Sequence, residues 1–117
     1  MAYFEELSSW SFAKKLTIQV YELMQNNHDY GFREQIQRAA VSIMNNIAEG
    51  SESGSDAKFI NFLYIAKGSC GEVKSMLYLC EDFGHCTEEI RISLQNRIKK
   101  ISGGIVKMIE TLKNDTK

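Results

Sequence analysis

A chain of 117 residues, 44% hydrophobic and 25% charged, reads as one globular domain over residues 1–117, long enough to bury its own core and far from the composition of disorder. The formal charge of −1 excludes the strongly basic profile of a dedicated duplex-DNA binder, whose affinity comes mostly from phosphate neutralisation. Proline is absent, which suits a few long helices on short connections.

The first helix is predicted from about Ser9 to Asn26. Ala13, Leu16, Thr17, Val20 and Met24 share one stripe, with Trp10 and Tyr21 at its edge and Ser8 or Ser9 as cap. Asn26, Asn27, His28 and Asp29 are weak helix formers and read as a turn. The second helix spans roughly Gly31 to Glu49, with Phe32, Ile36, Ala39, Ala40, Ile43 and Ile47 on its apolar face; Gly50 is read as the left-handed residue that ends it.

Ser55 caps the third helix and Asp56 complements its dipole. This helix continues to about Asp82 with Phe59, Phe62, Leu63, Ala66, Cys70, Val73, Leu77 and Cys80 inward. The stretch from Phe83 to Cys86 is the third turn. Thr87 then caps a fourth helix that opens on Glu88 and Glu89, ends near Lys113, and carries Ile90, Leu94, Ile98, Ile101, Ile105, Met108 and Leu112 on its stripe. Four amphipathic helices joined by short loops predict an all-α, antiparallel, up-down-up-down four-helix bundle.

Two helices carry more than a core stripe. At 100° per residue, Ile60, Tyr64, Gly68, Gly71, Ser75 and Tyr78 cluster on the side of the third helix opposite its core face. A monomeric bundle needs one apolar stripe per helix, and each mid-helix glycine costs about 1 kcal/mol against alanine, so this face is the candidate oligomer interface. On the second helix Gln35, Arg38, Ser42, Asn46 and Glu49 form a narrow polar stripe. It is either a solvated face or a hydrogen-bonded seam that holds register at a junction.

The search for chemistry excludes more than it finds. No phosphate-cradling glycine loop is present, because Gly50 and Gly54 lack the lysine and the preceding strand. No Glu-x-x-His pair of di-iron bundles exists, and His28 and His85 both fall in turns. Cys80, His85 and Cys86 lack the paired spacing of zinc sites, and nothing supplies the third group of a Cys–His nucleophile. The expectation is a protein without catalytic residues, metal, cofactor or small-molecule substrate. Three cysteines, an odd count, point to reduced thiols rather than a disulfide framework. With neither a leader pattern at the N-terminus nor an apolar run of about 20 residues, the expected place is the cytoplasm and not a membrane.

The fourth helix supplies the candidate nucleic-acid contacts, Arg91, Arg97, Lys99, Lys100 and Lys107. Lys100 and Lys107 share a heading, while Arg91 and Lys99 point elsewhere, which resembles a solvated helix more than a phosphate track. A closed ring of copies would multiply even a modest patch.

The stretch Gln35-Ile-Gln-Arg-Ala-Ala-Val-Ser-Ile-Met-Asn-Asn-Ile-Ala-Glu-Gly50, followed by Phe59-Ile-Asn-Phe-Leu-Tyr-Ile-Ala-Lys-Gly-Ser69 and Glu72, resembles the bacterial four-helix-bundle family encoded by intervening sequences within 23S rRNA genes. The accessory protein of diversity-generating retroelements is similar. The resemblance covers nearly the whole chain. It implies a ring-shaped homopentamer, makes the polar stripe a family feature, and brings no established enzymatic activity. The retroelement relative binds nucleic acid and a reverse transcriptase through a basic surface, which implies RNA or DNA as an alternative partner here. Met44 stands where that family usually has proline, and the loop from Ser51 to Gly54 lacks its common arginine.

Overall fold

Each periodic segment becomes one helix: α1 (Ser8–Leu23), α2 (Tyr30–Ser51), α3 (Asp56–Asp82) and α4 (Glu88–Asp115). The computed structural model describes Phe4 and residues 7–115; the remaining positions, half of the first ten residues read for a leader and Lys117 among them, lie outside the described residues. Connections of four to six residues reach at most about 21 Å, shorter than the ~33–42 Å of α2, α3 and α4, so each helix folds back along its predecessor. The pairs in contact are α1–α2, α2–α3, α3–α4 and α1–α4. The cross-section is therefore a square with α1 and α3 at opposite corners, and the bundle measures 48 × 21 × 20 Å. Among the described residues no helix is long and apolar enough to cross a membrane.

The inward stripes supply the core. Leu16, Ile36, Ile43, Ile47, Leu63, Leu77, Ile98, Ile101 and Ile105 are fully buried, each stabilising the fold by about 1.5–3 kcal/mol relative to exposure. The buried Thr17 hydroxyl lies 2.8 Å from the Ala13 carbonyl and 3.2 Å from that of Ala40, so its single proton stays satisfied at the α1–α2 contact. The Ser55 and Thr87 caps form as expected, Ser55 Oγ accepting from the Lys58 N–H at 3.2 Å and Thr87 Oγ1 from that of Ile90 at 3.2 Å. Asp29 caps α2, accepting from the Phe32 N–H at 3.4 Å.

Four local expectations are corrected. Leu7, not a serine, occupies the cap position of α1 and makes no side-chain cap bond; Ser9 is buried, with its hydroxyl filling the space that a Cβ at Gly104 would need. α1 also ends earlier, at Leu23, because Asn26 adopts a left-handed φ of 66°. Ile90 is 39% exposed rather than core, lying in an open groove beside Leu23, the last residue of α1, while Ile109 is buried further along.

Gly50 is the fourth. It lies inside α2 and is buried; the left-handed residue is Gly54, with φ 87°. A Cβ at Gly50 would stand 2.7 Å from Phe59 Cδ1 and 2.9 Å from Phe62 Cβ, so the glycine is required by close approach of α3 rather than by the helix end. Phe62 Cβ is fixed to its backbone and cannot swing away. Gly50→Ala is accordingly expected to lower stability by about 1–3 kcal/mol in urea or thermal unfolding despite its better helix propensity; unchanged or higher stability contradicts the close contact.

Candidate functional site

The outer corner of α3 exposes several large apolar side chains. Tyr64 is 46% and Tyr78 51% exposed, and they frame the open positions Gly68, Gly71 and Ser75. Among the described residues nothing beyond its own helix turn lies within 4 Å of a Cβ built at Gly68 or Gly71. Ile60 differs from the expectation, being partly buried against the core. Sequence reasoning missed Ile65 and Leu79, which are 52% and 44% exposed. The available signal was their spacing: fourteen residues is close to four helical turns, so both share one heading next to the tyrosines.

α4 fixes the two tyrosines from its own side. Lys113 Nζ donates to Tyr64 Oη at 2.8 Å, and the Arg91 guanidinium lies 5.0 Å from the Tyr78 ring centre. Arg91 also pairs with Glu81 and donates from Nη1 to Gln95 Oε1 at 2.9 Å. Gln95, itself buried, donates to the Lys74 carbonyl at 3.0 Å. Glu81 raises the pKa of Arg91 chiefly through this hydrogen bond, holding the guanidinium charged. Arg91 is thus a strut between α3 and α4 rather than a free phosphate contact.

The polar stripe of α2 divides into two parts. Ser42 Oγ meets Ser69 Oγ of α3 at 2.9 Å, and Asn46 Nδ2 donates to Ser42 O at 2.8 Å and to Ser42 Oγ at 2.9 Å. Those residues form the register-holding seam. Gln35, Arg38 and Glu49 are exposed, and Arg38 pairs with Glu34, one turn away at 2.7 Å.

The cations of α4 disperse over separate grooves. Arg97 and Lys100 line one of about 290 Å³ with Phe12, Ser93 and Asn96 at the α1–α4 seam. Lys99 faces another, shared with Lys67, Lys74 and Gly71. Lys107 lines a third with Asp56, Met108 and Asp115, so two carboxylates stand nearby.

At one end of the bundle His85 Nε2 lies 3.1 Å from Asp29 Oδ2, and its ring packs 5.4 Å from that of Phe32. Burial pushes the Cys70 thiol up to about 12; burial, then a hydrogen bond and charge from Cys86, does the same to Cys80. Among the described residues no group of three His, Cys, Asp or Glu side chains is placed to hold a metal ion.

Residues 5–107 match the family model described as 23S rRNA-intervening sequence protein. A crystal structure from Bacteroides thetaiotaomicron, of a protein with unknown function from the S23 ribosomal protein family, superposes with a TM-score of 0.82 at 25% identity, covering 88% of this chain and 96% of that one. No curated protein matches the chain.

The two halves of the polar stripe should separate on mutation. Ser42→Ala strips a partner from the buried Ser69 hydroxyl and from Asn46, and is expected to lose about 1–2 kcal/mol in denaturant unfolding. Gln35→Ala, on the solvated half, should stay within about 0.5 kcal/mol of wild type. Equal effects from both substitutions would contradict the seam.

Proposed function

The chain belongs to the 23S rRNA-intervening sequence protein family, and from that premise we propose that it is a non-enzymatic cytoplasmic scaffold that assembles through the outer face of α3 into a homopentamer. The carrying observation is that face itself: Tyr64, Ile65, Tyr78 and Leu79 exposed around two glycines in the middle of a helix. Gly50 and Gly104 are explained by contacts inside the chain, whereas a Cβ at Gly68 or Gly71 would meet nothing among the described residues. Two glycines that each weaken a helix by about 1 kcal/mol call for a contact that needs their small size. A second copy of the chain provides one.

Five copies is the number that the resemblance of the Gln35–Gly50 stretch implies. A closed ring joins two unlike patches on every copy. α3 supplies one, and Phe12, Ile18 and Tyr21 on α1, at the opposite corner of the square, supply another. Beyond Tyr30 at its start, α2 exposes no large hydrophobic residue and suits a solvent-facing position.

Light scattering at micromolar concentration is expected to give a mass near five times 13.3 kDa; a monomer alone overturns the proposal. Gly68→Leu should lower that mass while leaving the helix content intact, because leucine is the better helix former by about 0.8 kcal/mol and meets nothing in its own chain.

The α1–α4 groove favours a second reading, an accessory protein for RNA or DNA. There Phe12 offers a stacking surface beside Arg97 and Lys100, with Asn96 and Ser93 as hydrogen-bonding groups. Retention of structured RNA on a filter should fall linearly in log–log terms with salt, and Arg97→Gln with Lys100→Gln should lower that slope by about 2. Arg91→Gln should barely change it, since Arg91 is committed to Glu81. Absence of retention at low salt rules this reading out.

A further inference from the structure

Cys80 sits in the last turn of α3 with its side chain fully buried. Immediately beyond it the chain reverses. The His85 N–H donates to the Cys80 carbonyl at 2.8 Å, the Gly84 N–H donates to the Glu81 carbonyl at 3.0 Å, and Gly84 takes a φ of 75°. This is the paired-bond helix terminus that folds the next residues back over the final turn. Cys86, the next residue along, consequently packs against the same core that Cys80 occupies, while remaining only half-buried. The turn is anchored from outside as well, since His85 reaches Asp29 at 3.1 Å and packs at an angle against both Phe32 and Phe83, which also meet each other. Cys70 stands ten residues earlier on α3, about 15 Å along the axis, and is out of reach.

We propose that Cys80 and Cys86 form a thiol–disulfide pair, closed by a low-molecular-weight disulfide such as oxidised glutathione into a bond that ties the end of α3 to the entry of α4. The half-buried Cys86 reacts first. Its thiolate attacks one sulfur of the small disulfide, breaks that S–S bond and releases one small thiol, leaving a mixed disulfide on Cys86. Cys80 then loses its proton and attacks the Cys86 sulfur; the protein S–S bond forms and the second small thiol departs. The protein pair is oxidised by two electrons, the small disulfide is reduced by two, and the two thiol protons end on the released thiols. Burial and the neighbouring Cys86 sulfur keep the Cys80 thiol protonated at neutral pH, with its pKa at about 12, which makes the second step the slower one. The mixed adduct should therefore be visible before closure.

The test uses the reduced full chain, incubated with oxidised glutathione, then acid-quenched and unfolded for thiol titration and intact mass. The expected end state has one free thiol of the original three, a mass lower by two hydrogen atoms, and a peptide map linking Cys80 to Cys86. Cys80→Ser should stop at a persistent glutathione adduct on Cys86. Retention of three free thiols by the wild type, a stable adduct without closure, or a bond that involves Cys70 overturns the proposal. All readouts are taken on unfolded chains, so they do not depend on how many copies assemble.

Discussion

Where α2 crosses α3, Gly50 admits the ring of Phe59 and the Cβ of Phe62 into space that any side chain would fill. About 12 Å further along α2, the Ser42 hydroxyl meets that of Ser69. Two fixed points on one pair of helices define its register, because sliding by a single turn would push a side chain into Phe62 and leave the buried Ser69 hydroxyl unpaired. The rest of the molecule is built outward from that register. It sets the heading of the α3 core stripe, and with it the direction in which Tyr64 and Tyr78 point. α4 is then tied to α3 through Arg91, Glu81, Gln95 and the Lys74 carbonyl.

α3 is the helix with two jobs. Its inner face closes the core, while its outer face combines large apolar side chains with glycines that the chain's own packing leaves uncovered. α4 holds the tyrosines of that face at its edge with cations rather than covering them. A surface of half-exposed aromatics in fixed positions next to small residues has the properties of an interface core, where rigid rings pack at low entropic cost and close approach needs absent side chains. α2 shows the opposite pattern, with its outer positions charged or amide-bearing. The contrast between these two helices gives the self-association proposal its direction.

Local chemistry made the fold legible: two caps of three, the approximate turns and most of each core stripe follow from side chains acting on their own or adjacent turns. The misreadings have long-range causes. Ile90 fits the stripe of α4, but it opens into a surface groove beside Glu22 and Leu23 at the end of α1. Gly50 has the composition of a helix end, yet two phenylalanines of the next helix require it. Arg91 looked like one more cation of a solvated helix until Glu81, ten residues earlier and on another helix, claimed it. In the candidate site the seam residues Ser42 and Asn46 were legible as a polar stripe, but not which half of the stripe would meet α3. Ile65 and Leu79 lie at the margin of the face as drawn from a helical projection, where exposure is decided by the angle to a neighbour and not by heading alone.

Oxidative footprinting of the tyrosines in the assembled protein addresses the α3 face directly. Within one chain Tyr30, Tyr64 and Tyr78 are all exposed, although Lys113 and Arg91 already touch the last two, so protection beyond that of the Gly68→Leu chain must come from another copy. The account predicts strong protection of Tyr64 and Tyr78 with Tyr30 freely modified; equal modification of all three would contradict it.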